Sequence, residues 1–311
     1  MIQLNPFSLA ARIKRPLILD GATGSILQKR IGIDKSPLWT SEYNITYPEE
    51  VLRLHSEYIE SGADIITTNT FRTNPLAVKL AGTSRSYKQY LNKAVKIALE
   101  AAAGTPVLVA GSNPPAEDCY KEDRTISNDE LIDNHKKHIS ALMDAGCDFV
   151  LNETQSHMDE IRIILEFCSK KEIPFIICLY LTDELRLLSG EPLHEVTAEI
   201  KQYNPMAVGF NCIFGLTFGK LVNKEIFNYN WGYYLNCGSG NFTYKEIKCD
   251  LSPINYAEII SDSLKYDPSF VGGCCGSSPS HIKTIRRLFN EKSNYKISGK
   301  NQLRVEYRLK A

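Results

Sequence analysis

Eight short apolar runs, each followed by a longer segment with helical periodicity, are the feature that most constrains how this chain folds. Strands alternating with helices in this way indicate βαβ units and a parallel sheet. Eight such units predict an α/β protein with a single-domain (β/α)8 TIM barrel. The predicted strands are 17–20, 64–68, 107–111, 149–152, 175–180, 207–211, 232–235 and 270–272, and the clearest helices are 48–61, 87–103, 129–145, 156–170 and 279–290.

A doubly wound open sheet is the competing architecture for such an alternation. That fold normally carries a glycine-rich phosphate turn, G-x-G-x-x-G, after an early strand. The first predicted strand instead leads into Asp20-Gly21-Ala22-Thr23-Gly24, which lacks this spacing. We therefore expect a barrel over residues 1–291 and a C-terminal extension over residues 292–311, in which the alternation of 303–309 predicts one extra strand.

Charge and hydropathy exclude several classes of protein. Lys+Arg and Asp+Glu both number 36, so no basic surplus indicates a nucleic-acid partner. No apolar stretch approaches the ~20 residues that cross a bilayer, so no membrane role is expected. The N-terminus lacks the pattern of a secretory signal, which predicts a cytoplasmic location.

The ends of the predicted strands carry the polar and reactive side chains. Active sites of such barrels lie at the carboxyl ends of the strands, so these residues are expected to face one mouth. The candidates are Asp20, Thr67, Thr68, Asn69, Ser112, Glu153, Asn211, Cys212, Asn236, Cys237, Cys274 and Cys275.

Three of the nine cysteines stand out by position. Cys274 and Cys275 follow strand eight between glycines, and Cys212 ends strand six. Three thiolates at about 2.3 Å from zinc leave one tetrahedral position open, as in catalytic zinc sites. Packing of a lone Cys212, or a vicinal redox pair at 274–275, is the alternative.

The remaining cysteines and histidines carry no such pattern. Cys168, Cys178 and Cys147 read as core residues, and no disulfide framework is expected in a chain of this size. The histidines fall on helices or at helix starts, where packing or solvation is the expected role. Asn236 ends strand seven, between the strands that supply the cysteines, and its amide oxygen is a candidate fourth zinc ligand in the absence of substrate.

Together, these motifs resemble those of the zinc-dependent homocysteine S-methyltransferases, over residues 14–290. The matching pieces are Leu19-Asp20-Gly21-Ala22-Thr23-Gly24, Gly62-Ala63-Asp64-Ile65-Ile66-Thr67-Thr68-Asn69-Thr70-Phe71, Glu153-Thr154, Gly209-Phe210-Asn211-Cys212 and Gly272-Gly273-Cys274-Cys275-Gly276. The resemblance implies a zinc site of Cys212, Cys274 and Cys275 that takes the homocysteine sulfur. It also implies that Asp20, Gly21 and Glu153 hold the amino-acid end, with Thr68, Asn69 and Asn236 near the substrate.

The methyl donor is the less constrained half of the predicted reaction. The chain departs from the family pattern after strand three, at Gly111-Ser112-Asn113-Pro114-Pro115, and after strand seven, at Leu235-Asn236-Cys237-Gly238. It has no D-x-H-x-x-G corrinoid signature, so the expected donor is a small molecule or a corrinoid carried by another protein. A small sulfonium such as S-methylmethionine or S-adenosylmethionine is favoured because it needs no partner. The 20–28 opening and Leu38-Trp39 resemble the homocysteine-binding barrel of cobalamin-dependent methionine synthases, so a methyl-corrinoid carried by a separate protein is the first alternative. The second is a non-enzymatic zinc or thiol redox protein.

Overall fold

The computed structural model describes residues 5–32, 36–222, 229–239 and 248–292 of the 311-residue chain. Within them, eight parallel strands form one sheet, in which neighbours in the chain pair from the second strand to the eighth and the eighth also pairs with the first. The barrel closes between the first and second strands, where Leu19 bridges Ile65 and the Asp20 N–H donates to the Ile65 carbonyl at 2.9 Å. The predicted (β/α)8 barrel is therefore confirmed.

All eight predicted strands are present, with bounds that differ by a few residues at most. The strands of the barrel are β1 Leu17–Ile18, β2 Ile65–Thr67, β3 Leu108–Asn113, β4 Phe149–Gln155, β5 Phe175–Leu179, β6 Val208–Asn211, β7 Trp231–Leu235 and β10 Phe270–Gly273. Two further short strands, β8 Gly238–Ser239 and β9 Lys248–Cys249, pair antiparallel after β7. This hairpin was not predicted, because two-residue strands leave no periodic pattern.

The described residues contain twelve α-helices. They are α1 Ala10–Ile13, α2 Gly24–Ile31, α3 Tyr43–Thr46, α4 Pro48–Glu60, α5 Pro75–Ala81, α6 Tyr87–Ala101, α7 Asn128–Asp144, α8 Met158–Lys170, α9 Leu193–Lys201, α10 Gly215–Val222, α11 Pro253–Ser263 and α12 Pro279–Lys292. Two of the longest begin with capping boxes: Ser86 and Gln89 bond reciprocally at the start of α6, and Ser127 and Glu130 at the start of α7. Such reciprocal bonds satisfy backbone donors of the first turn, which fixes where the helix starts.

Two apolar layers position the mouth of the barrel. Side chains pointing inward from the strands pack with one another, and Phe7 closes the base by contacting the rings of Phe149 and Phe270. Outward-pointing strand residues pack against the helices. The predicted core cysteines follow this division, since Cys178 is buried inside the barrel and Cys168, a residue of α8, is buried in the outer layer. The interior of the barrel is therefore filled, and active sites of such barrels lie at the carboxyl ends of the strands.

One expectation about the cysteines is wrong. Cys237 and Cys249 form a disulfide, although none was expected. The reason is local: Gly238 pairs with Cys249 in the β8–β9 hairpin, which brings the two cysteine Cα atoms within 5.0 Å. The predicted extra strand at 303–309 lies outside the described residues and stays a prediction.

No described helix is both long enough and apolar enough to cross a membrane. The cytoplasmic location stays a prediction.

Candidate active site

The three singled-out thiols meet at the carboxyl end of the barrel. Cys212 directly follows β6, Cys274 and Cys275 directly follow β10, and β7 lies between those two strands. The Sγ atoms of all three lie within 4.8 Å of one another, and those of Cys212 and Cys274 are 2.6 Å apart. Cys212 and Cys274 are buried, whereas Cys275 is partly exposed to the mouth. The structure thus brings together the sulfurs that the sequence places 62 and 63 positions apart.

The pKa values of the three thiols are shifted in different directions. Hydrogen bonds from Cys274 and Cys275 hold the pKa of Cys212 well below its usual value, so a thiolate forms there first. Burial, and then its bond to Cys212, raise the pKa of Cys274 well above the usual range. The bond to Cys212 likewise raises the pKa of Cys275. Without a cation, the cluster therefore resists carrying more than one negative charge, and a bound divalent cation would remove that resistance.

A reciprocal hydrogen-bonded pair holds Cys212 beside β4. The Thr154 N–H donates to Asn211 Oδ1 at 2.8 Å, and Asn211 Nδ2 donates to Thr154 Oγ1 at 2.8 Å. Both Thr154 and Cys212 have positive φ, at 59° and 55°, which non-glycine residues rarely adopt. Such conformations persist only where neighbouring structure determines them, and here they turn two strand ends into the mouth.

Two carboxyl groups, that of buried Asp20 and that of partly buried Glu153, line the same cavity. Asp20 accepts hydrogen bonds from the Thr67 N–H at 2.8 Å and from the Thr67 hydroxyl at 3.0 Å. Burial nevertheless raises the pKa of Asp20 to about 8. Glu153 accepts a hydrogen bond from the Ser112 hydroxyl, and burial raises its pKa to about 7. Neither Asp20 nor Glu153 forms an ion pair among the described residues, so no side-chain cation balances either carboxyl group there.

A cavity of about 570 Å³ joins the thiols to the carboxyl groups. Among the residues predicted for the site, its wall contains Asp20, Gly21, Thr68, Asn69, Glu153, Cys212, Cys274 and Cys275. Thr68 and Asn69 are already engaged by the protein, because Thr68 accepts from the Ser112 N–H and Asn69 donates to the Thr40 carbonyl. They therefore shape the wall of the cavity while holding its loops together.

Asn236 lies behind the thiols and is not part of the cavity wall. Its side-chain Nδ2 donates to the carbonyl of Cys212 at 2.9 Å. Its Oδ1 is buried and has no hydrogen-bond partner among the described residues. A buried amide oxygen without a partner costs free energy, and a ligand at this oxygen would recover it.

Sequence reasoning missed part of the cavity wall. Cys119 and Tyr120 come from the long connection between β3 and α7, and Phe71 and Arg72 come from the loop after β2. Trp39 stands edge-on to Phe71, with ring centroids 6.4 Å apart. Trp39 and Phe71 belong to segments that resemble the family, whereas Arg72, Cys119 and Tyr120 carry no signal in the sequence. These three residues lie in irregular loops, where no strand-end position marks them.

Comparison with known proteins agrees with this geometry. The sequence model of the homocysteine S-methyltransferase family matches residues 17–289. Homocysteine S-methyltransferase 1 of Brassica oleracea is 28% identical over 87% of this chain and 92% of its own length. The Escherichia coli homocysteine S-methyltransferase is 26% identical over 92% of this chain and 99% of its own.

Solved structures point the same way. The crystal structure of the metallated homocysteine methyltransferase MmuM from E. coli superimposes with a TM-score of 0.75 at 25% identity. The match covers 90% of this chain and 99% of that one. Because the family's sequence model spans nearly the whole barrel, together with the strand ends that carry the three thiols and two carboxyl groups, this chain belongs to the homocysteine S-methyltransferase family.

Proposed function

We propose that this chain transfers a methyl group from a small sulfonium compound to the thiol of homocysteine, with zinc held by Cys212, Cys274 and Cys275. One observation carries the proposal. A single cavity is lined by three converging thiols and by two carboxyl groups, those of Asp20 and Glu153, which form no ion pair among the described residues. A thiol amino acid presents the complementary groups, a sulfur at one end and an ammonium at the other.

The residues fit zinc by their chemistry. Thiolates are preferred zinc ligands, and three of them leave the fourth position for a substrate. Asn236 is held near the thiols because its Nδ2 donates to the Cys212 carbonyl, and its Oδ1 has no hydrogen-bond partner among the described residues. Both observations support a role for Asn236 as the fourth ligand when substrate is absent. Zinc bound there would supply a Lewis acid that lowers the pKa of the homocysteine thiol.

The amino-acid end of homocysteine would lie against Asp20, Gly21 and Glu153. Both carboxyl groups have raised pKa values because burial disfavours their charged forms. An ammonium group between them restores those charged forms by opposite-charge attraction. The Gly21 N–H would bind the substrate carboxylate, a role supported by the presence of Gly21, Thr68 and Asn69 in the cavity wall.

The outer part of the cavity favours a cationic donor. Trp39 and Tyr120 contribute aromatic surface to the wall, and aromatic faces attract cations, whereas the ring of Phe71 already carries the Arg72 guanidinium 5.4 Å from its centroid. In the reaction, the S–CH3 bond of the sulfonium breaks, its electron pair stays on the donor sulfur, and a new bond joins the methyl to the homocysteine sulfur. The thiol proton goes to solvent, and the products are methionine and a thioether. The chain itself aligns the two sulfurs and excludes water between them.

The test combines metal content with a donor panel. Zinc-loaded chain is incubated with homocysteine and S-methylmethionine, S-adenosylmethionine, betaine or a methyl-corrinoid protein, and methionine is measured. We expect one zinc per chain and turnover with a sulfonium. Cys212→Ala should lose both, while Cys168→Ala, which alters a buried cysteine of α8 away from the cavity, should keep both.

The other arms of the panel decide between the alternatives. Turnover only with the methyl-corrinoid protein would show that the methyl donor is a protein-bound corrinoid and not a sulfonium. Zinc binding without methionine from any donor would refute the enzyme and leave a zinc or thiol redox protein. Glu153→Gln should raise the KM for homocysteine without changing the zinc content, because the carboxyl group acts on the ammonium and not on the metal.

A further inference from the structure

A second sulfur cluster lies beside the active site. Cys237 and Cys249 close the base of the β8–β9 hairpin through their disulfide. The imidazole of His281 lies against both, with Nε2 at 3.2 Å from the Cys237 Sγ and 3.6 Å from the Cys249 Sγ. Cys237 is 1% exposed, whereas Cys249 is exposed to solvent. One sulfur of the pair is therefore accessible to a reagent and the other is sheltered.

The tautomer of His281 is set by its surroundings. The backbone N–H of Ser278 donates to Nδ1 at 3.2 Å, which places the ring proton of the neutral imidazole on Nε2. Nε2 then donates toward the Leu251 carbonyl at 3.0 Å and toward the Cys237 sulfur. The imidazole is thus arranged as a hydrogen-bond donor to sulfur. The same arrangement leaves no lone pair on Nε2 for a metal ion.

Backbone hydrogen bonds connect this cluster to the three active-site thiols. The Cys237 N–H donates to the carbonyl of Cys275 at 2.9 Å, and the Cys274 N–H donates to the carbonyl of Leu235 at 2.8 Å. The carbonyl of Cys237 in turn accepts from the Asp250 N–H at 3.0 Å, beside Cys249. The position of Cys237 therefore sets part of the geometry of the loop that carries Cys274 and Cys275.

We propose that the Cys237–Cys249 pair is a reversible oxidative-modification site, closed by hydroperoxides and opened by dithiols, whose state alters the three-thiol centre. Closed, the bond fixes Cys237 and through it the Cys275 carbonyl. Opened, it releases the β8–β9 hairpin from that anchor. This goes beyond methyl transfer, and only its effect on zinc affinity rests on the proposed function.

Both directions of the reaction balance. In closure, two thiols and a hydroperoxide give the disulfide, an alcohol and water, so the sulfurs are oxidised by two electrons and the O–O bond is reduced. In opening, a dithiol attacks the exposed Cys249 sulfur, and Cys237 leaves as a thiolate that accepts the His281 hydrogen bond. The second thiol of the reagent then releases Cys249 and leaves as a cyclic disulfide.

The experiment uses the full chain, equilibrated in mixtures of reduced and oxidised dithiothreitol or treated with tert-butyl hydroperoxide. Alkylation followed by peptide mass mapping reports the state of each cysteine. Two further measurements report coupling: the alkylation rate of Cys275 in metal-free chain, and the zinc affinity against a competing chelator. Cys249→Ser is the permanently open form, and Cys168→Ser is the matched control for loss of one cysteine.

We expect reversible closure, faster alkylation of Cys275 in the open form, and zinc affinity weakened by about tenfold, as for loss of an outer-shell partner. Cys249→Ser should show the open values at every redox setting, and Cys168→Ser should respond like the parent chain. His281→Gln should slow opening, because the leaving sulfur loses its donor.

Three results would overturn the proposal. Free thiols at both positions under all conditions would remove the modification itself. Unchanged Cys275 alkylation in the open form would remove the coupling. A second equivalent of zinc that Cys249→Ser abolishes would make the cluster a metal site instead. A chain that binds no zinc would refute the proposed function only, because mass mapping and Cys275 alkylation need no metal.

Discussion

The reciprocal pair of Asn211 and Thr154 is expected to couple the metal-binding side of the site to its carboxyl side. Asn211 precedes Cys212, and Thr154 follows Glu153, so two buried hydrogen bonds of 2.8 Å join the residues proposed for metal and for substrate. Asn211→Ala removes both bonds at once. Thr154→Ala removes only the one to the hydroxyl, because the backbone N–H of residue 154 can still donate.

The expected cost follows from what each change leaves behind. Asn211→Ala orphans a buried N–H, which costs about 1–3 kcal/mol, and loses a second bond worth about 1 kcal/mol. We therefore expect a loss of about 2–4 kcal/mol in the free energy of unfolding. Thr154→Ala should cost about 1–2 kcal/mol, because a single amide hydrogen loses its acceptor. Thr154→Ser keeps both bonds and should stay close to the parent chain.

The functional consequence should exceed the loss of stability. Cys212 has a positive φ that neighbouring structure maintains. Loss of the bonds between residues 211 and 154 in Asn211→Ala therefore lets the Cys212 sulfur move. A displacement of about 1 Å in a catalytic group can lower the rate by about 10²-fold. We expect Asn211→Ala to lower kcat/KM by about 10- to 100-fold and to weaken zinc binding by about tenfold.

A double-mutant cycle tests this reasoning. Urea unfolding of Asn211→Ala, Thr154→Ala and the double variant gives the coupling energy, which we expect to be about 1 kcal/mol. Zinc affinity and methionine formation are measured on the same proteins. Effects that add to within about 0.3–0.5 kcal/mol would show that the pair is not coupled. A destabilised Asn211→Ala with unchanged zinc affinity and kcat/KM would leave the pair a purely structural role.

Three further perturbations follow from the same structure. His55 is fully buried without a hydrogen-bond partner among the described residues, and burial lowers its pKa to about 4. The unfolded chain therefore takes up a proton below about pH 6.5 that the folded chain refuses, so about 3 kcal/mol of stability should be lost as pH falls from 6.5 to 4. His55→Leu should reduce that slope, and equal slopes in urea titrations would contradict this. Asp64→Ala leaves Arg15 and Arg286 without their anionic partner at the base of the barrel. It should lower the free energy of unfolding by about 3 kcal/mol and leave the KM for homocysteine unchanged. A Cβ at Gly24 would overlap the ring of Trp39, so Gly24→Ala should raise the KM for the donor more than that for homocysteine; equal changes in both would argue against a donor role for Trp39.

Much of the fold was predictable because the barrel repeats one local pattern. Each strand is a short apolar run and most of the long helices show a clear stripe, so the eight units could be counted without any long-range information. The missed elements have the opposite character. Helix α5 is seven residues long, and the β8–β9 strands are two residues each, which is too short for a period to appear.

The residues of the candidate site also fall into those that a local pattern predicts and those that it does not. Asp20 ends a predicted strand, and Glu153, Cys212, Cys274 and Cys275 lie within three residues after one. Closure of a barrel carries every strand end to one mouth. Local sequence therefore predicted which residues would meet.

The rest of the site depended on tertiary structure. Cys119 and Tyr120 reach the cavity from a long irregular loop, and only the packed structure sets that path. His281 meets Cys237 because the start of α12 packs beside the β8–β9 hairpin, 44 positions away in the chain. The raised pKa values of Asp20 and Glu153 come from burial.

The three cysteines remain the clearest example of both contributions. Their places after β6 and β10 were determined by the sequence, since glycines and apolar runs mark those strand ends. Their separations, the left-handed turn at Cys212 and the backbone tie from Cys275 to Cys237 were decided by the folded barrel. The reason is that distances between side chains on different strands depend on register and closure, which no local pattern encodes.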